Sequence, residues 1–346
     1  MALAMDAYRP FLTNFLATTA LILLTVLGIN SYIDPLWHFR GNLSTGINYA
    51  FSERDSKLNL FLRSPGQYDC IMFGSSATVI IDTDRIKGHH CFNFSFKGGG
   101  VRDFIDYAKY FKHIGFTPTL VLVSVDLYAL QLKNLESYAP EYIKTLQPPP
   151  SAVESYLSWD ALDFSFRTVL NVEPGPQNYD KNFKGILLPI KHKIMPRSEL
   201  PPDLAKYYST SNPVSDDNVK YYRELRDIFG PSTYIGFVPY RSTKIMLEMK
   251  AAGQLEPLLR AVYEIGKFFD RFYDFTIPAQ ITMEAKDSYD GFHFGVKTMA
   301  HITEEINGDT QQAFLRIDRE TFGQYRDDYN RRIEEYIESE KHPLNK

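Results

Sequence analysis

The hydrophobic pattern opens on one long apolar block. Between Arg9 and Asp34 run 24 uncharged residues, PFLTNFLATTALILLTVLGINSYI, which as a helix at ~1.5 Å per residue reach roughly 36 Å and cover a hydrocarbon core of ~30 Å. The pattern predicts one membrane span over about residues 10–33. A signal peptide usually has a shorter apolar region ending at an A-x-A-like site, whereas GINSYIDP follows this block, so an uncleaved anchor is expected. Arg9 and the terminal amine, partly offset by Asp6, lie before the span and Arg40 after it, which predicts an N-terminus inside. No later segment is long and apolar enough to span, and residues from about 34 onward are expected to be soluble outside the cytoplasmic face.

Beyond the anchor the periodicity alternates between strands and helices. Residues 34–67 are polar and turn-forming and read as a connector with one short helical piece around 56–61. YDCIMFGSSATVIIDTD is an apolar run closing on small residues, and HHCFNFSFKGGG is a second run closing on three glycines, as parallel strands feeding loops do. VRDFIDYAKYFKHIG sets Phe104, Tyr107, Ala108 and Phe111 at i, i+3, i+4 and i+7, which predicts an amphipathic helix, and TPTLVLVSVDLYAL follows as a third buried strand. Strand, helix and strand imply a right-handed crossover and an α/β fold. From about 134 to 230 PPP, PGP and PP punctuate helical stretches, read as a helical insertion. The alternation returns with STYIGFVPY, a helix through LEPLLRAVYEIGKFFDRF, the strand YDFTIPAQI and the helix GVKTMAHITEEI. The expected organisation is an anchor over 1–33, a connector over 34–67, an α/β domain over 68–310 containing the insertion, and a charged, solvated tail over 311–346.

Composition narrows the function. The chain is 44% hydrophobic and 23% charged, with 38 basic and 42 acidic residues, so no basic excess is present to neutralise phosphates and nucleic acid is not an expected partner. Its 14% aromatic residues are read as a well-filled core, with stacking surfaces for sugar rings open to them. Cys70 and Cys91 form no CxxC and have no histidine at ligand spacing, so neither a metal nor another cofactor is expected. Both are read as buried free thiols, with a bridge open to them in an oxidising compartment if their strands are neighbours.

A nucleophilic serine needs a base, an acid to orient that base, and donors for the oxyanion. GSSA at 74–77 ends a strand, so Ser76 should project from the carboxyl edge of the sheet, where active sites of open α/β sheets lie. DSYDGFHF brings Asp290 and His293 to the same edge after the last strand. Asp287 lacks the three-residue spacing to His293. His89 and His90 precede the second strand and read as a solvated turn at the opposite edge; His301 reads as surface or packing. Tyr128, Tyr240 and Arg241 follow strands and read as core closure, with pocket lining open to them.

This ordered set resembles the SGNH or GDSL-like hydrolase superfamily, and more closely its membrane-anchored bacterial relatives associated with O-acylation of cell-surface polysaccharides. The resemblance covers roughly residues 30–310 through YIDP, ERDSK, YDCIMFGSSATVIID, FNFSFKGGGVRD and DSYDGFHFG. It implies a three-layer, flavodoxin-like sandwich around a parallel sheet, with Ser76 as nucleophile, His293 as general base, Asp290 as its orienting acid, and the backbone N–H groups of Ser76 and Gly98 as oxyanion donors. Ser75 stands where the usual GDS triplet has aspartate. The third block departs further: where the superfamily supplies an asparagine donor, this chain has Asp126, and an ionised carboxylate cannot donate. Asp126 is read as a pocket residue binding the acceptor or as a cap for the following helix. The implied function is a serine esterase or O-acyltransferase acting on acyl esters of glycans, single-pass in a bacterial inner membrane with its domain on the periplasmic side, working with a membrane acyl-donor protein. The alternative is a non-catalytic tethered scaffold or glycan-binding protein that keeps the fold.

Overall fold

A computed structural model describes residues 2–132, 135–188, 213–308 and 314–341. The described chain forms two compact units, 1–63 with 148–186 and 64–147 with 187–346. In chain order the elements are α1 (Ala2–Ile33), β1 (Ile47–Asn48), α2 (Glu53–Arg63), β2 (Cys70–Gly74), β3 (Cys91–Ser95), α3 (Val101–His113), β4 (Leu120–Ser124), α4 (Ala152–Tyr156), α5 (Trp159–Val169), β5 (Gln177–Asp180) and β6 (Gly185–Leu187). There follow α6 (Val219–Arg226), β7 (Thr233–Val238), α7 (Thr243–Ala251), α8 (Leu255–Gly266), β8 (Arg271–Asp274), α9 (Val296–Ile306), β9 (Leu315–Arg316) and α10 (Phe322–Lys341).

In the first unit, α1 holds a stretch from Tyr8 to Ile33 that is long and apolar enough to cross a membrane. The YIDP step that follows is a structural clamp. Asp34 takes a left-handed conformation, with φ of 53°, and its carboxylate accepts the N–H groups of Phe39 (3.0 Å), Arg40 (2.6 Å) and Gly41 (2.5 Å) and the Tyr156 hydroxyl. ERDSK has a similar role in α2. Glu53 accepts the Tyr179 hydroxyl at 2.8 Å, and buried Lys57 places Nζ 4.9 Å from the Tyr179 ring and 5.5 Å from that of Phe183. Burial pushes the Lys57 ammonium down to about 7, against the opposing charge of Glu53. The region expected to be a connector and part of a helical insertion thus folds together, with β1, β5 and β6 as a three-stranded sheet that the helical reading had not foreseen. The part of that expected insertion falling on 134 and 189–212 lies outside the described residues.

The second unit is a mixed α/β structure on a six-stranded sheet in the order β3-β2-β4-β7-β8-β9. The first five strands are parallel and β9 is antiparallel to β8. Taken by their sequence rank, the five run 2-1-3-4-5, so the chain winds one way to β3, reverses past β2, and continues. Alternate residues divide the core. Phe73 and Phe94 meet Phe111 of α3 at ring distances of 6.5 and 5.0 Å on one face. On the other, Met72, Leu122, Ile235 and Tyr273 share a core with Met299 and Ile302 of α9. Both faces are therefore covered by helices, as all-parallel strands require.

Two expectations change here. Cys70 and Cys91 are not free thiols but a disulfide: β2 and β3 are parallel neighbours in a register that sets these two residues opposite each other, with Cα atoms 4.2 Å apart. The charged tail is also more than a solvated face. Its first described residues add β9 to the sheet edge, and α10 buries Tyr325, Tyr329, Ile333 and Tyr336 at helical spacing. The Tyr325 hydroxyl donates to the buried carboxylate of Asp274 at 2.6 Å. Residues 309–313 and 342–346 of that tail lie outside the described residues.

Two stability outcomes follow from these contacts. The denatured, unreduced chain should resist maleimide labelling, and replacing both cysteines by alanine should cost about 3 kcal/mol in urea unfolding, given the loop of 21 residues that the bridge closes. Asp34→Ala strips three amides and a tyrosine hydroxyl of their acceptor and should cost about 2–4 kcal/mol. Fluorescence of Trp37, buried in that same turn, reports the second transition.

Candidate active site

The position of Ser76 is made by what β2 lacks. A β-carbon on Gly74 would stand 2.1 Å from Thr78 Oγ1 and 2.7 Å from Ser95 Oγ, so only glycine lets the chain turn this closely against β3. Ser75 stays extended and Ser76 opens a single 3-10 turn over Ser76–Thr78, which lifts it above the carboxyl edge of the sheet. Asn93 in the middle of β3 fixes the turn from below. Its Nδ2 group lies 3.1, 3.3 and 2.9 Å from the carbonyl oxygens of Thr78, Val79 and Ile81, while its Oδ1 accepts the Ser95 N–H at 3.0 Å. Sequence reasoning passed over Asn93; a polar amide between two phenylalanines of a buried strand was the available signal.

Asp290 and His293 come from a tight loop before α9. His293 Nε2 lies 2.8 Å from Ser76 Oγ, and His293 Nδ1 lies 2.6 Å from Asp290 Oδ2. The other carboxylate oxygen of Asp290 accepts the N–H groups of Phe292 and His293, each at 2.8 Å. Gly291 makes this three-residue return feasible with φ of +82°, and Ser288 closes it by donating to the His293 carbonyl at 2.9 Å and accepting the Gly291 N–H at 2.8 Å. The Tyr289 ring stacks on the imidazole at 5.2 Å with planes 1° apart, leaving the histidine little room to swing. The structure thus brings Ser76, Asp290 and His293 into one hydrogen-bonded row.

Burial pushes the Asp290 carboxyl up. The hydrogen bond and charge of His293 and the two amides outweigh that burial and hold it below the usual carboxylate range. Tyr289 is shifted upward by burial and by the neighbouring Asp290 charge, so it remains a neutral phenol.

Arg241 joins the remaining loops to this one. Its guanidinium, buried after β7, lies 2.9 Å from the Tyr240 carbonyl, 3.2 Å from the Phe292 carbonyl and 3.3 Å from Asp126 Oδ1. The Ser242 N–H also donates to the Gly291 carbonyl at 2.8 Å. Asp126 accepts the Tyr128 N–H at 3.0 Å as the cap of a 3-10 turn, so its capping role is present and its carboxylate is shared with Arg241. Gly98 stands on the loop after β3, at the same edge, with φ of +65°. That loop is close to the strand that precedes Ser76: the Phe96 N–H donates to the Gly74 carbonyl at 3.1 Å, and a β-carbon on Gly99 would meet the same oxygen at 2.7 Å.

No protein-family model, curated protein or solved structure matches this chain. The remaining candidates have structural roles. Asp287 accepts the Thr298 N–H at 3.3 Å and hydroxyl at 3.0 Å, so it caps α9. His89 pairs with Asp69 at 3.0 Å at the amino edge of the sheet, and His301 pairs with Glu304 at 2.9 Å on the surface of α9. Among the described residues, no group of three or more His, Cys, Asp or Glu is placed to hold a metal ion. A cleft of about 1110 Å³ between α6 and α8, lined by Asp216, Arg223 and Phe268 among others, contains none of the row.

The depressed Asp290 carboxyl has a signed consequence. A folded-state value below the unfolded ~3.9 means that its stabilisation is present above that value and is lost as pH falls through the lower folded one. Asp290→Asn should therefore melt below the wild type at neutral pH, and the gap should close below about pH 4, as differential scanning fluorimetry can follow.

Proposed function

We propose that the chain is a membrane-anchored serine acyl-transfer enzyme of SGNH type, an esterase or O-acyltransferase acting on acyl esters of cell-surface glycans. The observation that carries this reading is the Ser76–His293–Asp290 row, a nucleophile, base and orienting acid drawn from residues 217 apart. The glycan substrate, the SGNH assignment and a membrane protein as acyl donor come from the sequence resemblance. The anchor-like α1 and the Cys70–Cys91 bridge support a domain held in an oxidising, extracytoplasmic compartment such as the bacterial periplasm.

The chemistry proceeds in two halves. Ser76 Oγ attacks the ester carbonyl carbon while its proton passes to His293 Nε2, and the carbonyl oxygen becomes an oxyanion held by the backbone N–H groups of Ser76 and Gly98. The tetrahedral centre collapses, the C–O bond to the leaving alcohol breaks, and His293 returns the proton to that alcohol, leaving acyl-Ser76. Water or a sugar hydroxyl then attacks the acyl carbon, gives its proton to His293, and releases Ser76 as His293 hands the proton back to Oγ. Asp290 stays ionised beside Nδ1 throughout, fixing the tautomer with Nε2 free to accept and stabilising the imidazolium.

One observation favours a second reading, a tethered scaffold or glycan-binding protein. Asp126 stands near the position of the third oxyanion donor and is itself an acceptor for Tyr128 and Arg241. Loss of one such donor typically costs ~2.7–4 kcal/mol of transition-state stabilisation, so the enzyme reading entails slow turnover.

Labelling by a fluorophosphonate and hydrolysis of a short-chain acyl ester, both on the full chain in detergent, separate the readings. The wild type should label and turn over, and Ser76→Ala and His293→Ala should each lose on the order of 10³-fold or more. A folded wild type that neither labels nor turns over, with or without an acyl-donor protein, would establish the scaffold.

A further inference from the structure

The helices α4 and α5 of the first unit carry a surface that the proposed chemistry does not use, and α5 is inverted for a helix in water. Its buried positions are the small residues Ala161, Ser165 and Thr168, at i, i+4 and i+7. Apart from Phe164, its large apolar side chains point outward: Trp159 is 78% exposed, Phe166 52% and Leu170, just past its end, 71%, with Val169 beside them and Leu162 half-buried between. Val153 of α4 and Leu157 after it extend the exposed apolar set. Scattered exposed apolar residues are ordinary on a protein surface; a helix that buries its small residues and presents its large ones is not.

The place of this face in the fold says what covers it. The small side of α5 lies on the end of α1, where Ser165 Oγ donates to Asn30 Oδ1 at 2.7 Å and Asn30 Nδ2 donates to the Tyr156 carbonyl at 2.8 Å. Leu27 of α1 and Phe164 of α5 pack against the same small core of Leu36, Tyr156 and Ala161. Leu27 is six residues before the end of α1 at Ile33, about 9 Å along a helix axis. A helix attached at that level of a spanning segment lies at the depth where interfacial helices bury an apolar face, roughly 5–10 Å into the boundary between headgroups and acyl chains. Trp159 belongs to the residue type that concentrates at that boundary.

We propose that the outward face of α4 and α5 is a membrane-docking surface whose occupant is bilayer lipid around the exit point of α1. This rests on α1 lying in the bilayer. The chain is then held by a span and by an interfacial collar, and the collar fixes how far the first unit stands from the membrane.

The two tryptophans make the test direct, because Trp37 is buried and Trp159 is not. The full chain is reconstituted in nanodiscs of phosphatidylcholine and phosphatidylglycerol, and the fluorescence difference between wild type and Trp159→Phe isolates Trp159. Lipids brominated high on the acyl chain should quench that difference signal, and aqueous iodide should leave it unchanged. A Trp159 signal open to iodide and insensitive to brominated lipid overturns the proposal, whether the face stays bare or belongs to a protein partner. Co-purification of the chain with the discs reports on α1 separately; a chain that never enters them removes the premise and the proposal together. Phe166→Glu with Leu170→Glu, both at exposed positions, should leave disc insertion intact and open Trp159 to iodide.

Discussion

Five strands pointing the same way impose the rest of the second unit. Because β3, β2, β4, β7 and β8 are parallel, every loop that leaves them opens at one edge, and the reversal of winding at β2 parts the loops there. Ser76 follows β2, Gly98 follows β3, Asp126 follows β4 and Arg241 follows β7. The loop with Asp290 and His293, which comes after β8, returns to the same edge. Residues with no relation in sequence therefore meet without any element having to bend toward them.

The row of serine, histidine and aspartate depends on supports that are themselves polar and buried. Asn93 reaches three carbonyls of the turn after Ser76, and Arg241 reaches those of Tyr240 and Phe292 while sharing Asp126. A buried carbonyl without a donor is costly, so these two side chains define the loop conformations as much as the glycines do. Tyr289 adds a steric wall on one side of the imidazole. The loops around the row are thus tied to one another by hydrogen bonds between buried groups.

What could be read from the chain was what is local. The apolar block before Asp34, the small-residue turn at 74–77 and the Asp290–His293 spacing are signals a few residues long, and the parallel α/β character followed from alternation. What could not be read depends on register and on distant partners. The Cys70–Cys91 bridge exists because β2 and β3 align at their first residues, which periodicity does not specify. The first unit joins segments more than a hundred residues apart, as in the Asp34–Tyr156 contact, and nothing in the polar composition of 34–67 announces that partner. The tail misled because its charges outnumber its four inward side chains, three of them tyrosines that also carry polar ends.

The clamp of α10 on β8 sets an order of events during synthesis. Asp274 is fully buried, burial pushes its carboxyl up, and it is satisfied by Thr276 and by Tyr325, a residue made some fifty positions later. While the last helix is still being made, Thr276 answers one oxygen of the Asp274 carboxylate at the end of β8 and the other still lacks its tyrosine donor. Until β9 and α10 are added, the loop with Asp290 and His293 follows a strand, β8, that is still the open edge of the sheet.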